Sequence, residues 1–280
     1  MKMPLSINTN IASMTAQRSF LNSNAALEQS FERLSTGKRI NSASDDAAGL
    51  AIGKDLESRV SGLNQAVRNV NDGISMVQIL EGAYDEATTI VQRMRDLAVQ
   101  AANGSLATAE RAYLDTEQNK LATSLDSVMA QAKFGSVDLA NGGTVTVVIQ
   151  SGSEIADLTT LSMTTASNDD AAAMGISGAN IDIGTTQAKA LTSITALDTA
   201  LTTIATQRAA LGAQQSQLES TVRNLSNIAE NTAAAAGRVM DTDYAAETAN
   251  LTKAQILQQA ATSILAQANA QPQAVLALLQ

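Results

Sequence analysis

Apolar residues recur at alternating steps of three and four in two long stretches. The first runs Leu56, Val60, Leu63, Val67, Val70, Ile74, Val77, Leu80, Tyr84, Ala87, Val91, Met94, Ala98 and Ala101. Two consecutive threes, Ile74–Val77–Leu80, read as a local stammer in a heptad seam. The second runs Ile194, Leu197, Leu201, Ile204, Arg208, Leu211, Gln215, Leu218, Val222, Leu225, Ala229, Thr232, Ala236 and Val239. Each predicts a helix of roughly 70 Å at about 1.5 Å per residue. Two seams of matched length predict an antiparallel pair that buries each against the other. Arg208 and Gln215 stand on the second seam. Either they lie at its edge with their stems snorkelling, or they fix its register.

Between the seams the period changes. Asn103-Gly104-Ser105 breaks the first helix, and a shorter one follows with Tyr113, Leu114, Leu121, Leu125 and Val128 as its apolar stripe. Phe134-Gly135 ends it. From Ser136 to Gln150 the alternation becomes two: Val137 and Leu139, a turn at Asn141-Gly142-Gly143, then Val145, Val147 and Ile149. This pattern predicts a β-hairpin. Residues 151–185, rich in Ser, Thr, Gly, Asn and Asp, read as loops with short strands and a short helical piece near Asp169–Met174. Ser44 is read as an N-cap, with Asp45 and Asp46 in the first turn of the helix that follows.

Both ends carry helical apolar stripes: Ile7, Ile11, Met14, Leu21, Leu27, Phe31 and Leu34 at the head, and Leu251, Ile256, Leu257, Ala260, Ile264, Leu265 and Ala268 at the tail. The last residues add Leu276 and Leu279. Each stripe is flanked by Asn, Gln, Ser and Thr rather than by charge. A single helix of this kind is marginal in water. The two ends are therefore expected to find no mate within their own subunit, to stay mobile, and to act as interaction segments.

Composition narrows the chemistry. The 280 residues contain no His, Cys or Trp, only three Phe and three Tyr, yet 45% are hydrophobic. Without His, neither a Ser-His-Asp arrangement nor an HExxH metal motif can form. No phosphate-binding GxxxxGK[ST] loop occurs. The carboxylate pairs lack the aromatic platforms of a sugar cleft. No enzyme activity, cofactor or metal site is expected. A net charge of −9 argues against nucleic acid as a partner. No apolar run is long enough to span a membrane, and Met1-Lys2-Met3-Pro4 leads into no signal-peptide core. Neither membrane nor cleaved-signal secretion is expected.

Several stretches resemble bacterial flagellins. They are Ser6-Ile7-Asn8-Thr9-Asn10, the run Glu32–Gly49 (ERLSTGKRINSASDDAAG), Asn71-Asp72-Gly73-Ile74-Ser75 and Gln92–Gln100 (QRMRDLAVQ). Toward the tail they are Gln207–Ala213 (QRAALGA), Asp241–Glu247 (DTDYAAE), Lys253–Ala260 (KAQILQQA) and Leu265–Asn269. The resemblance covers roughly 1–135 and 190–280. It implies a mainly α fold, a long antiparallel helical bundle or coiled coil with a small β-hairpin region between its halves. The implied division is inner-tube helices at 1–44 and 241–280, long rod helices at 45–135 and 187–240, and a short variable region at 136–186. The implied function is a structural subunit that polymerises into the extracellular flagellar filament for motility. Export would proceed unfolded through the flagellar apparatus, with an export chaperone on the C-terminal segment and assembly beside cap and hook–filament junction proteins. The assembly residues would be Ile7, Ile11, Met14, Leu21, Leu27, Phe31, Leu34, Leu257, Ile264, Leu265, Leu276 and Leu279. A vertebrate Toll-like receptor would meet Arg93, Leu97 and Glu117; alternatively, Arg93 and Arg95 are solvated or make subunit contacts. A hook–filament junction protein is the nearest alternative. A cytoplasmic helical-hairpin signalling domain is the alternative from another class.

Overall fold

The computed structural model describes residues 9–140, 144–152, 157–164, 181–184 and 186–277. Helices α1 (Ile11–Thr36), α2 (Ala47–Ala101) and α3 (Thr108–Gln131) precede four short strands, β1 (Lys133–Phe134), β2 (Val137–Asp138), β3 (Thr144–Gln150) and β4 (Leu158–Thr164). Helices α4 (Gln187–Met240) and α5 (Tyr244–Ala277) follow. No described helix is long and apolar enough to cross a membrane. The chain forms two compact units, residues 59–230 and residues 1–58 with 231–280.

The unit 59–230 is built on the two seams. Every described first-seam residue from Leu63 on is buried or half-buried, and Val70, Val77, Ala87, Val91 and Met94 reach zero exposure. On α4 the steps alternate between buried and half-buried: Leu197, Ile204, Leu211, Leu218 and Leu225 inside, with Ile194, Leu201 and Val222 at the margin. That alternation is what two seam columns produce when one lies nearer the contact axis. Arg208 sits at the margin, its Nη1 3.0 Å from Asp85 Oδ1. Gln215 donates to Glu219 on its own helix. The edge reading therefore holds for both, and Arg208 adds an interhelical ion pair.

Helix α3 turns most of its apolar stripe inward, Leu125 buried and Leu114, Leu121 and Val128 half-buried against the core, but Tyr113 is not part of that face. Tyr113 is 78% exposed, whereas Arg111, Gln118, Leu125 and Met129 are buried. The donor groups of these buried polar side chains are satisfied, whereas Gln118 Oε1 is buried without a hydrogen-bond partner among the described residues. Arg111 Nε donates to Ala101 O at 2.9 Å and Nη2 to Asn103 O at 2.9 Å, capping the carbonyl end of α2. Gln118 Nε2 donates to Ile181 O and Ser193 Oγ. Asp115 accepts from Ile183 N, so α3 fastens the segment that re-enters the bundle with Ile181 and Ile183 buried.

The expected hairpin is also corrected. β2 pairs back with β1 around Gly135, whose φ of 60° suits glycine. β3 pairs forward with β4, Thr144 opposite Thr164 through Gln150 opposite Leu158. Alternation identified the strand but not its partner. The Asn141-Gly142-Gly143 turn and the helical piece at 169–174 lie outside the described residues.

In the other unit, α1 begins at Asn10, whose side chain accepts from Ser13 N, and ends at Gly37, φ 71°. The N-cap of α2 is corrected: Gly49 N donates to Asp46 Oδ1 at 2.9 Å, so Asp46 caps rather than Ser44. Asp45 binds the preceding loop, accepting from Asn41 N and Ser42 N; those amide donors hold its carboxyl below the usual value. The loops before α2 and after α4 clasp each other, with Arg39 N donating to Met240 O at 2.6 Å and Thr242 N to Gly37 O at 3.0 Å. Met240 is buried directly on Gly53, where any Cβ would overlap its sulfur.

Candidate assembly surface

Helices α1 and α5 lie together as an antiparallel pair. Asn10 Nδ2 donates to Ala268 O at 2.7 Å, Ser13 Oγ to Asn269 Oδ1 at 2.8 Å, and Gln258 Nε2 to Asn24 Oδ1. Ser30 Oγ donates to Glu247 Oε1 at 2.5 Å. The expectation that the ends find no mate within the subunit is thus overturned: each is the other's mate.

The pairing uses the small residues. Ala16, Ala254, Ala261 and Ala268 are buried, together with Ser30 and Glu247. The large apolar residues face away. Ile11 is 60% exposed, Leu21 65% and Ile264 57%, and Met14, Phe31 and Leu257 are also exposed. Leu27, Leu34 and Leu265 are half-buried. Leu276 falls within α5, but its side chain, like Ile7 and Leu279, lies outside the described residues. Ile256 and Tyr244 belong with the exposed set. Between the helices runs an apolar groove of about 500 Å³ lined by Ile11, Ala12, Ala16, Leu257 and Ile264 among others. Alanine at the contact lets two backbones approach closely, and the Leu, Ile and Phe side chains are then left over for another surface. An apolar display of this size is a mark of an interaction face.

In the other unit, Arg93 Nε and Nη2 donate to Glu117 Oε1 at 3.1 and 2.7 Å, with Arg93 exposed and Glu117 half-buried. Leu97 is corrected: at 1% exposure it packs in the core with Met94, Ala98 and Ala101, and it presents nothing to a partner of the folded unit. Arg95, read with Arg93 as solvated or as a subunit contact, pairs with Asp198 across to α4 at 2.6 Å. Among the described residues no group of His, Cys, Asp and Glu could hold a metal ion.

Comparison with known proteins matches both helical halves. Residues 7–144 match the bacterial flagellin N-terminal helical region and residues 194–279 the bacterial flagellin C-terminal helical region. The chain belongs to the bacterial flagellins. It is 41% identical to the flagellin of Halalkalibacterium halodurans, over 98% of this chain and 99% of that one. It is 39% identical to the flagellar filament 33 kDa core protein of Treponema phagedenis, again over 98% and 99%. The crystal structure of Bacillus cereus flagellin, 29% identical, aligns over 60% of this chain and 94% of that one with a TM-score of 0.50. Flagellins are structural proteins, and the exposed aliphatic faces of α1 and α5 lie within the matched helical regions.

Proposed function

We infer that this chain is a structural subunit of the bacterial flagellar filament. The observation that carries the reading is the inverted pairing of α1 and α5: alanines at the contact and large aliphatic residues outside. A subunit that exposes such a face on two helices needs neighbours to cover it, and contacts between unlike surfaces of successive copies build an open helical array. The match to a filament core protein over nearly its whole length supports the same conclusion. The filament places the chain outside the cell, delivered by the flagellar export route with an export chaperone on the α5 segment, and growing beside cap and hook–filament junction proteins. The sequence division into inner-tube and rod segments at residues 44, 135, 186 and 240 belongs to this reading.

Seeded polymerisation followed by electron microscopy tests it. The intact chain should give long helical filaments. A chain lacking residues 1–44 or 241–280 should remain soluble and unassembled. Discrete particles from the intact chain would favour a junction protein, and ordinary filaments from either truncation would refute the role given to α1 and α5. Recognition by a Toll-like receptor, as the family resemblance implies, would rest on Arg93 and Glu117 without Leu97. Arg93→Ala should then weaken receptor signalling by monomer, and unchanged potency would remove that site.

A further inference from the structure

We propose that Glu247 is a register lock for the terminal helix pair, a role that presupposes α1–α5 pairing but not filament formation. Among the described side chains of α5, the buried ones are Glu247, Ala254, Ala261 and Ala268. They occupy one heptad position four times in succession, and three of the four are alanine. On α1 the corresponding column is Ala16, Ser23 and Ser30, with Ala16 and Ser30 buried. Sliding one helix past the other by seven residues places alanine on alanine or serine again. Packing alone therefore distinguishes poorly between registers. In coiled coils this degeneracy is broken by a single polar residue at a core position.

Glu247 has the required contacts. It is 7% exposed, accepts from Ser30 Oγ at 2.5 Å, and lies 3.7 Å from Arg33 Nη1. Ser30 is itself only 4% exposed. In the slip that brings Glu247 opposite Ser23, Ala26 replaces Arg33 and the carboxylate is buried without its cation. In the opposite slip, Gly37 replaces Ser30 and both partners are lost. A buried carboxylate stripped of its partners is costly. The lock matters because register decides which large residues stand side by side on the exposed face. The in-register pair sets Ile11 and Ile264 on one groove.

The absence of cysteine makes the test direct. Asn24→Cys is combined in turn with Gln258→Cys (in register), Leu251→Cys and Leu265→Cys (one heptad either way). Each pair is bridged with a short thiol cross-linker in the intact chain, as monomer and under polymerising conditions. With Glu247 present, the in-register pair should dominate. Glu247→Ala should lower the ratio of in-register to slipped product at least about tenfold, the scale of one lost charge-assisted hydrogen bond. Glu247→Gln, which can accept from Ser30 or Ser23 but carries no charge for Arg33, should restore the ratio against the Leu265→Cys product and not against the Leu251→Cys product. An unchanged ratio in Glu247→Ala would overturn the proposal, because the clasp at Arg39–Met240 would then be setting register. Loss of all three cross-links would overturn it too, since the lock selects a register and does not create the pairing. Wild-type chain that cross-links in register but forms no filaments would refute the filament reading and leave the lock standing.

Discussion

Replacing Leu21 by Ser separates folding from assembly. Leu21 is 65% exposed in the subunit, so about a third of its surface is already covered. Full burial of a leucine side chain is worth about 1.5–3 kcal/mol. The exposed two-thirds is therefore worth about 1–2 kcal/mol once a neighbour covers it, and the covered third about 0.5–1 kcal/mol to folding. The critical concentration of a growing filament tracks the dissociation constant of subunit addition. A loss of 1–2 kcal/mol should raise it about 5–30-fold. Sedimentation of seeded reactions across a concentration series measures this, and urea unfolding of the monomer measures the folding cost. Leu80→Ala is the contrasting variant: Leu80 is 1% exposed, so its loss should cost about 2–5 kcal/mol of stability. If Leu21→Ser left the critical concentration within about twofold of the parent, or cost as much in unfolding as Leu80→Ala, the outward face of α1 would not be an assembly surface.

Other variants report on the scaffold. Arg111→Ala orphans the Ala101 and Asn103 carbonyls at the end of α2 and should destabilise by about 2–4 kcal/mol in urea melts. Arg111→Lys should recover less than half of this, because an ammonium lacks the fork that reaches both oxygens. Gly53→Ala should cost about 1–3 kcal/mol by displacing Met240, and in a Met240→Ala background the cost should largely vanish. Lys189, and behind it the Gly184 amide, hold the Asp182 carboxyl below its ordinary value. A lowered folded-state pKa means that this stabilisation is present above the unfolded value and is lost as pH falls through the folded one. Asp182→Asn should therefore flatten the loss of Tm below about pH 4 and leave the slope at neutral pH unchanged. Hydrogen exchange should show fast amides in α1 and α5 of the monomer that become protected in filaments, with the buried seam residues of 59–230 slow in both.

The two seams were legible because most of their core residues are large and their spacing is regular apart from one stammer in the first; Val70, Val77, Leu80, Leu197, Ile204 and Leu211 all lie where the pattern put them. On α3 the same method found the apolar part of the inward face, Leu114, Leu121, Leu125 and Val128, and missed its polar part. One buried column of α3 is Arg111, Gln118 and Leu125, seven apart, and two of the three are polar. A hydrophobicity count cannot see a column whose polar members donate to carbonyls from elsewhere in the fold. Alternation located β3, but cross-strand partners depend on loop geometry, and the threonine-rich β4 carried little apolar signal. At the termini most of the large apolar stripe lies uncovered within the subunit, as expected, and what was missed is the small-residue face that pairs α1 with α5. Periodicity shows that apolar residues share a face; it does not show which side of the helix meets its nearest neighbour. The alanine column with Glu247 at its head was readable in the spacing 247, 254, 261 and 268, but alanine weighs too little in a search for cores.

That column also limits how much the terminal pair can stabilise itself. An alanine offers one methyl group, about 0.8 kcal/mol on burial by the methylene scale, so the four buried alanines supply roughly 3 kcal/mol. The contact between the two helices is therefore poor in apolar area. The area missing from that contact is carried on the outside, on Ile11, Met14, Leu21, Phe31, Leu257 and Ile264. If those side chains were turned inward, α1 and α5 would form a self-sufficient hairpin with nothing left to offer a neighbour. With alanine inside, the same aliphatic residues stabilise the helices only when another copy covers them. Ordering of the ends and growth of the polymer then become one thermodynamic event.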